Sequence, residues 1–241
     1  MTIVVFTMRI AAGAAKPASN DMVNDTQTFG IDPAAGHPER ALALGYAPLA
    51  AHDGIVALFA LDATLAKLAM GTRDPMVAQL RLTWWHEALS ALGTGQPPAQ
   101  PILRALSEAQ ANGAALAQME VGWERLLAAP DDEALSAFGE ERGILFAEAA
   151  RLAGAQDDVV AAARGWALAD LSRLTVDAGL SARAGALARP LLQRAAAQRW
   201  SPAGRFLGAL VHVARADLVG EKAAGAPLRV LRLAWHRMSG R

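Results

Sequence analysis

The chain has no cysteine. That excludes a disulfide, a thiolate zinc site and a thiol nucleophile, and it suits a reducing compartment. Net charge is absent too, since 23 Lys and Arg balance 23 Asp and Glu. A neutral chain with its arginines interspersed along the sequence offers no electrostatic footprint for nucleic acid. Aromatic residues make up only 5% and there is a single tyrosine. Scarcity of aromatic and β-branched residues disfavours sheet. No uninterrupted apolar run reaches the roughly eighteen residues of a membrane span. The stretch Met1 to Arg9 has a short apolar run with its charge behind it, the reverse of a signal peptide. His37, His52, His86, His212 and His236 are scattered, with no pair at ligand spacing. Serine-nucleophile motifs and phosphate-cradling glycine loops are missing as well.

What remains is an alanine-rich chain of 241 residues, 53% hydrophobic. That composition favours helices around one large core. We expect an all-α helical bundle, a single domain over 36–241, behind a flexible N-terminal tail over 1–35. Met22 is an alternative natural start. Asp21 and Asp25 stand four apart in that tail, where a solvated loop outweighs a metal site. Helices are expected near 39–50, 54–70, 75–92, 101–112, 114–129, 131–153, 156–178, 182–197, 202–217 and 226–238. Pro75 sits where a first helical turn tolerates it. The clearest loop runs from Gly93 to Pro101. Glu120 and Glu124 read as an exposed charged stripe. Nothing reads as a strand.

The segment Leu80-Arg81-Leu82-Thr83-Trp84-Trp85-His86-Glu87-Ala88-Leu89 carries the most information. Val77, Leu80, Trp84 and Ala88 repeat at helical spacing, and Leu82, Trp85, Leu89 and Leu92 widen that face. Trp84 is therefore expected in the core. Arg81 shares the side of both indoles, where a guanidinium can stack, pair with an acid or hold a diphosphate. Asp62 is the first candidate partner for Arg81, because each sits on an otherwise apolar helix.

As a string, this segment resembles the tryptophan helix of the squalene/phytoene synthase family, the head-to-head type of isoprenyl diphosphate synthase. Three weaker segments agree with it: Arg40 to Pro48, Ile55 to Asp62, and Arg229 to Trp235. Order and spacing are similar over roughly residues 38–165. The resemblance implies an isoprenoid-synthase-like fold. It also implies enzymes that join two prenyl diphosphates with Mg²⁺ held by two aspartate-rich motifs.

Those motifs are missing here. Mg²⁺ takes oxygen ligands, and carboxylates four apart on a helix can share metal. After the Phe59 helix, Asp62 stands alone and Lys67 occupies the place of an acid. Near the second motif, Asp170 and Asp177 are seven apart, with Arg173 between them. No metal site and no cofactor are therefore expected, and the catalytic residues are unknown; Mg²⁺ would be the cofactor if the chain were catalytic. The ligand-binding candidates are Asp62, Arg81, Trp84, Trp85, Asp170, Arg173 and Asp177.

Two functions follow as expectations. The first is a diverged, non-catalytic member that binds an isoprenoid or other apolar ligand, or a partner. Such a member resembles a phytoene-synthase-like assembly factor of respiratory complex I, which implies complex I subunits as partners. The alternative is an active Mg²⁺-dependent prenyl transferase of isoprenoid biosynthesis. The expected place is the cytoplasm, at most peripheral to the inner face of a membrane. In the C-terminal helix, Leu228, Leu231, Trp235 and Met238 form one apolar stripe among arginines. Core packing of that stripe is the favoured reading over membrane-surface contact.

Overall fold

The structure is a computed structural model that describes residues 28–71, 74–95, 99–220 and 224–241. Asp21, Asp25 and the alternative start Met22 lie outside the described residues. Ten α-helices and no strand occur among the described residues. They are α1 (Pro38–Leu44), α2 (His52–Gly71), α3 (Pro75–Ser90), α4 (Pro101–Glu108) and α5 (Gly113–Arg125). Then come α6 (Asp132–Ala153), α7 (Val160–Leu174), α8 (Ala178–Ala197), α9 (Arg205–Leu218) and α10 (Pro227–Ser239).

Local chemistry sets the boundaries. Asp74 accepts from Met76 N at 2.9 Å and Pro75 supplies the first turn of α3. Asp131 caps α6 through Ala134 N at 2.8 Å, and Gly154 closes the same helix at φ 68°. The first helix is shorter than expected. It stops at Gly45, and the chain resumes helical geometry only as a 3-10 turn at Leu49–Ala51, after Pro48. The residue before a proline avoids the helical region, which explains the gap.

Helix α2 runs through the middle of the bundle. It packs on α3, α4, α5 and α6, and residues 54–62 are all buried. By length and mean hydropathy it is the one described helix apolar enough to cross a membrane, although its unbroken apolar run is short. Most of that window is covered by protein, as expected of a core helix. Trp123, Trp166, Phe59, Phe138 and Phe146 fill the space between α2, α5, α6 and α7. Burying each large side chain contributes about 1.5–3 kcal/mol. Their rings meet edge-on or tilted, as Phe59 and Trp166 do at 5.7 Å and 81°.

Two helix faces differ from the sequence expectation. In α3 the core face is Ala78, Leu82, Trp85, Ala88 and Leu89. Trp84 is 45% exposed, not buried, and shares an outer stripe with Met76 and Leu80. The pattern was wide enough to fit either face, and α5 covers only one of them. In α5, Glu120 is buried and meets His86 Nδ1 at 3.2 Å, so it does not belong to an exposed stripe.

The N-terminal boundary also differs. Residues 1–27 lie outside the described part. Of the expected tail, Pro33 and Ala34 are buried. The Asp32 carboxylate accepts from Ala34 N at 2.9 Å and Gly36 N at 2.6 Å. This folds 32–36 into a tight turn in which Gly36 has φ 73°, a value glycine adopts without strain.

The α9–α10 hairpin closes the other end. His212 and His236 stack edge-on with centroids 4.7 Å apart. His236 Nε2 meets the Arg205 carbonyl at 3.0 Å. Gly208 makes room for it, since a Cβ there would lie 2.5 Å from His236 Nε2. Burial pushes His212 down to about 4, helped by His236, Arg232 and Arg215. Burial lowers His236 as well. Glu39 faces the same cleft as His212 but is paired with Arg229. The unfolded chain therefore binds more protons than the folded one between pH 6.5 and about 4. Stability should be full at neutral pH and fall as pH drops through that window, by roughly 3 kcal/mol from His212. Urea unfolding across that range should show the fall, and His212→Leu should flatten it. An unchanged slope in His212→Leu would refute the assignment.

Candidate functional site

The site is built where α1, α2, α6 and α7 converge. Helix α2 brings Asp62, α6 brings Arg142 and α7 brings Asp170, all on buried faces. Arg142 is fully buried. Its Nε donates to Asp62 Oδ1 at 2.8 Å and its Nη2 to Asp62 Oδ2 at 2.7 Å. The same Nη2 reaches Asp170 Oδ2 at 2.5 Å, and Nη1 donates to the Ala167 carbonyl at 3.1 Å. One guanidinium thus bridges both acids in a bidentate and a single contact.

Asp170 has two further partners. Arg40 of α1 pairs with its Oδ1, and Arg173 meets that oxygen at 3.0 Å. Burial opposes ionisation of Asp170, but Arg40, then Arg142 and Arg173, outweigh it and hold the carboxyl well below the usual range. Burial likewise opposes the charge on Arg142, and Asp62 with Asp170 more than restores it. Indole faces complete the enclosure. The Arg142 guanidinium carbon lies 4.6 Å from the Trp123 ring centre and 4.7 Å from that of Trp166.

Above this cluster lies a cavity of about 360 Å³. Its walls are largely apolar: Phe59, Ala63, Ala66, Trp166 and Leu174, closed by the Ile31–Gly36 turn. Asp62, Asp170, Arg40 and Arg142 form its polar floor, and Lys67 stands at its exposed edge. Arg40 is 5% exposed, yet its Nε has no hydrogen-bond partner among the described residues. A buried donor left unpaired beside a cavity is costly and calls for an acceptor.

Only part of the expected set assembles. Asp62, Asp170 and Arg173 meet here. Asp177 does not: it is exposed and caps α8, accepting from Gly179 N at 2.8 Å and Leu180 N at 3.0 Å. Arg81 is exposed on α3, so its expected pairing with Asp62 is wrong. The buried guanidinium of Arg142 takes that place. Trp85 is buried against Trp84 at 5.2 Å, and neither lines the cavity. Arg40 and Arg142 were missed by sequence reasoning. A signal for Arg142 was present, because it falls on the apolar stripe Leu135, Phe138, Phe146 and Ala149 of α6.

The donor set does not fit a Mg²⁺ cluster. Mg²⁺ needs carboxylate oxygens free to ligate and prefers an anionic cradle. Here Asp62 and Asp170 are matched by guanidinium groups, Asp32 is taken up by the backbone N of Ala34 and Gly36, and Lys67 adds positive charge at the cavity edge. The arrangement suits an uncharged or weakly anionic apolar molecule whose polar end accepts from Arg40.

Removing Arg142 should be severe, because it strands Asp62 without a partner. Arg142→Met should cost about 3–5 kcal/mol in urea unfolding. The double variant with Asp62→Asn should cost less than the sum of the singles, with coupling of roughly 0.5–3 kcal/mol. Additive costs would show that the pair contributes nothing as a pair.

Residues 34–128 match the family profile described as squalene/phytoene synthase. The matched stretch covers less than half of the chain and contains Arg40, Asp62 and the tryptophan helix, but not Arg142 or Asp170. No curated protein and no solved structure matches the chain. The all-α architecture agrees with the isoprenoid-synthase-like fold expected of that family. Over residues 34–128 the chain is similar to the squalene/phytoene synthase family.

Proposed function

We propose that this protein is a non-catalytic member of its family that holds an isoprenoid or similar apolar molecule in the cavity above Arg142. One observation carries the reading. Of the three acids that line the cavity, Asp62 and Asp170 are engaged by Arg142, Arg40 and Arg173, and Asp32 accepts from the backbone of its own turn. Ionising a diphosphate leaves negative charge that metal ions normally stabilise from preorganised carboxylates. Two carboxylates held by arginines offer such ions little. The apolar wall and the unpaired Nε of Arg40 support a bound chain with an oxygen acceptor at one end. We extend the proposal to a place and a partner. The protein works at the cytoplasmic inner face of a membrane and aids assembly of respiratory complex I. The sequence likeness to the phytoene-synthase-like assembly factor supports this part.

A second reading has its own observation. Asp62 and Asp170 come from separate helices and do meet at one cavity, as the two acid motifs of an active prenyl transferase would. One experiment separates the two. The protein is incubated with farnesyl or geranylgeranyl diphosphate and Mg²⁺, with product analysis, and farnesol or geranylgeraniol binding is followed by tryptophan fluorescence. Binding without coupled product is expected, and Ala63→Phe, which fills the cavity, should weaken binding by roughly tenfold or more. Coupled product that disappears in Asp62→Ala or Asp170→Ala would establish the transferase instead.

A further inference from the structure

Helix α10 is turned opposite to its apolar pattern. Arg229, Leu233 and His236 face inward. Leu228, Leu231, Trp235 and Met238 face outward, and are 60, 64, 60 and 69% exposed. At 100° per residue these four fall within one narrow arc, along a line of about 15 Å. Polar contacts hold the helix this way round. Arg229 pairs with Glu39 at 2.5 Å and with Asp217 at 2.6 Å. His236 is anchored on the Arg205 carbonyl. Arg205 Nη1 donates to the Arg237 carbonyl at 2.8 Å, and Trp200 N to the Gly240 carbonyl at 2.8 Å. The outward stripe is therefore presented rigidly.

The exposed charge on α10 itself is of one sign. From Pro227 to Arg241 there is no Asp or Glu. Arg232, Arg237 and Arg241 are exposed, and Arg215 adds another exposed positive group from α9. Beside Leu228 a cleft of about 270 Å³ opens between α9 and α10, lined by Arg232, Val213 and Leu233. His212 also lines it, and its buried Nδ1 has no hydrogen-bond partner among the described residues.

From the one-signed charge and the outward tryptophan stripe, we propose that α10 docks this protein on an anionic phospholipid surface. The four apolar side chains enter the boundary between headgroups and acyl chains, and the arginines contact lipid phosphates. Trp235 suits that depth, with an apolar ring and a polar N–H. A second copy of the chain is a poor occupant, because pairing two α10 helices sets arginine against arginine with no acid between. This proposal does not depend on the cavity or on its ligand.

The test is flotation of the full-length protein with vesicles of phosphatidylcholine alone, or with about one-third phosphatidylglycerol. Wild type should float with the anionic vesicles, not the neutral ones, and should detach in high salt. Leu231→Ser with Trp235→Ser should reduce flotation roughly tenfold, since both side chains are exposed and the fold does not need them. Arg232→Glu with Arg241→Glu should do the same through charge. Circular dichroism and the unfolding midpoint confirm that each variant is folded. Quenching of Trp235 by brominated lipid should be present in wild type and lost in Trp235→Phe. Three outcomes would overturn the proposal: no flotation of wild type, equal flotation of folded variants, or a stripe-dependent dimer that leaves vesicles unbound.

Discussion

A guanidinium enclosed between two carboxylates and two indole faces holds this bundle together at its centre. Arg142 is fully buried, so its charge has to be matched inside the protein. Asp62 matches it from α2 and Asp170 from α7. Arg40 ties α1 to the same acid. One network thus joins four helices that hydrophobic packing alone would allow to slide. Dispersion and area burial are nearly indifferent to small shifts along a helix, whereas a bidentate contact is not. Buried ion pairs add little net stability compared with apolar residues of the same volume. Their effect here is to fix register.

The same constraint shapes the cavity. Its floor is charged but internally neutralised, and its walls are aromatic and aliphatic. A ligand has to bring its own complement to Arg40, because Asp62 and Asp170 are already paired. Arg142 lies between the two facing acids and satisfies their charge from inside the protein.

The fold was largely legible in the sequence, and the site only in part. Alanine-rich helical periodicity and the caps at Asp74, Asp131 and Gly154 give the helices, because those signals are local. The tryptophan string carries the likeness to the family, and it lies inside the matched residues 34–128. The pairing of Asp62 was misread for a physical reason. Arg81 lies on a helix with two apolar stripes, and sequence alone does not say which one α5 covers. Arg142 lies eighty positions from Asp62, so only the packing of α6 on α2 brings them together. Asp177 looked like a site acid because of its place in the chain. It is a helix cap, and caps and ligands use the same residue type.

Helix α10 makes the general point in reverse. Apolar periodicity placed Leu228, Leu231, Trp235 and Met238 inward, yet Arg229 and His236 occupy the inner face. A helix turns its polar side to the core only when that side finds partners of matching charge. Glu39 and Asp217 are both at hand, and each is itself buried or half-buried. Turning α10 over would remove Arg229 from both acids, leaving Asp217 with His37 and, among the described residues, Glu39 with the Gly225 N–H alone, at a cost of several kcal/mol. The area gained by covering the stripe could at most offset that loss. The buried charges therefore decide which face the helix shows, and exposure of the apolar face is their consequence. At the centre of the bundle and at α10, arginines placed among apolar residues choose between packings that hydrophobicity leaves nearly equal.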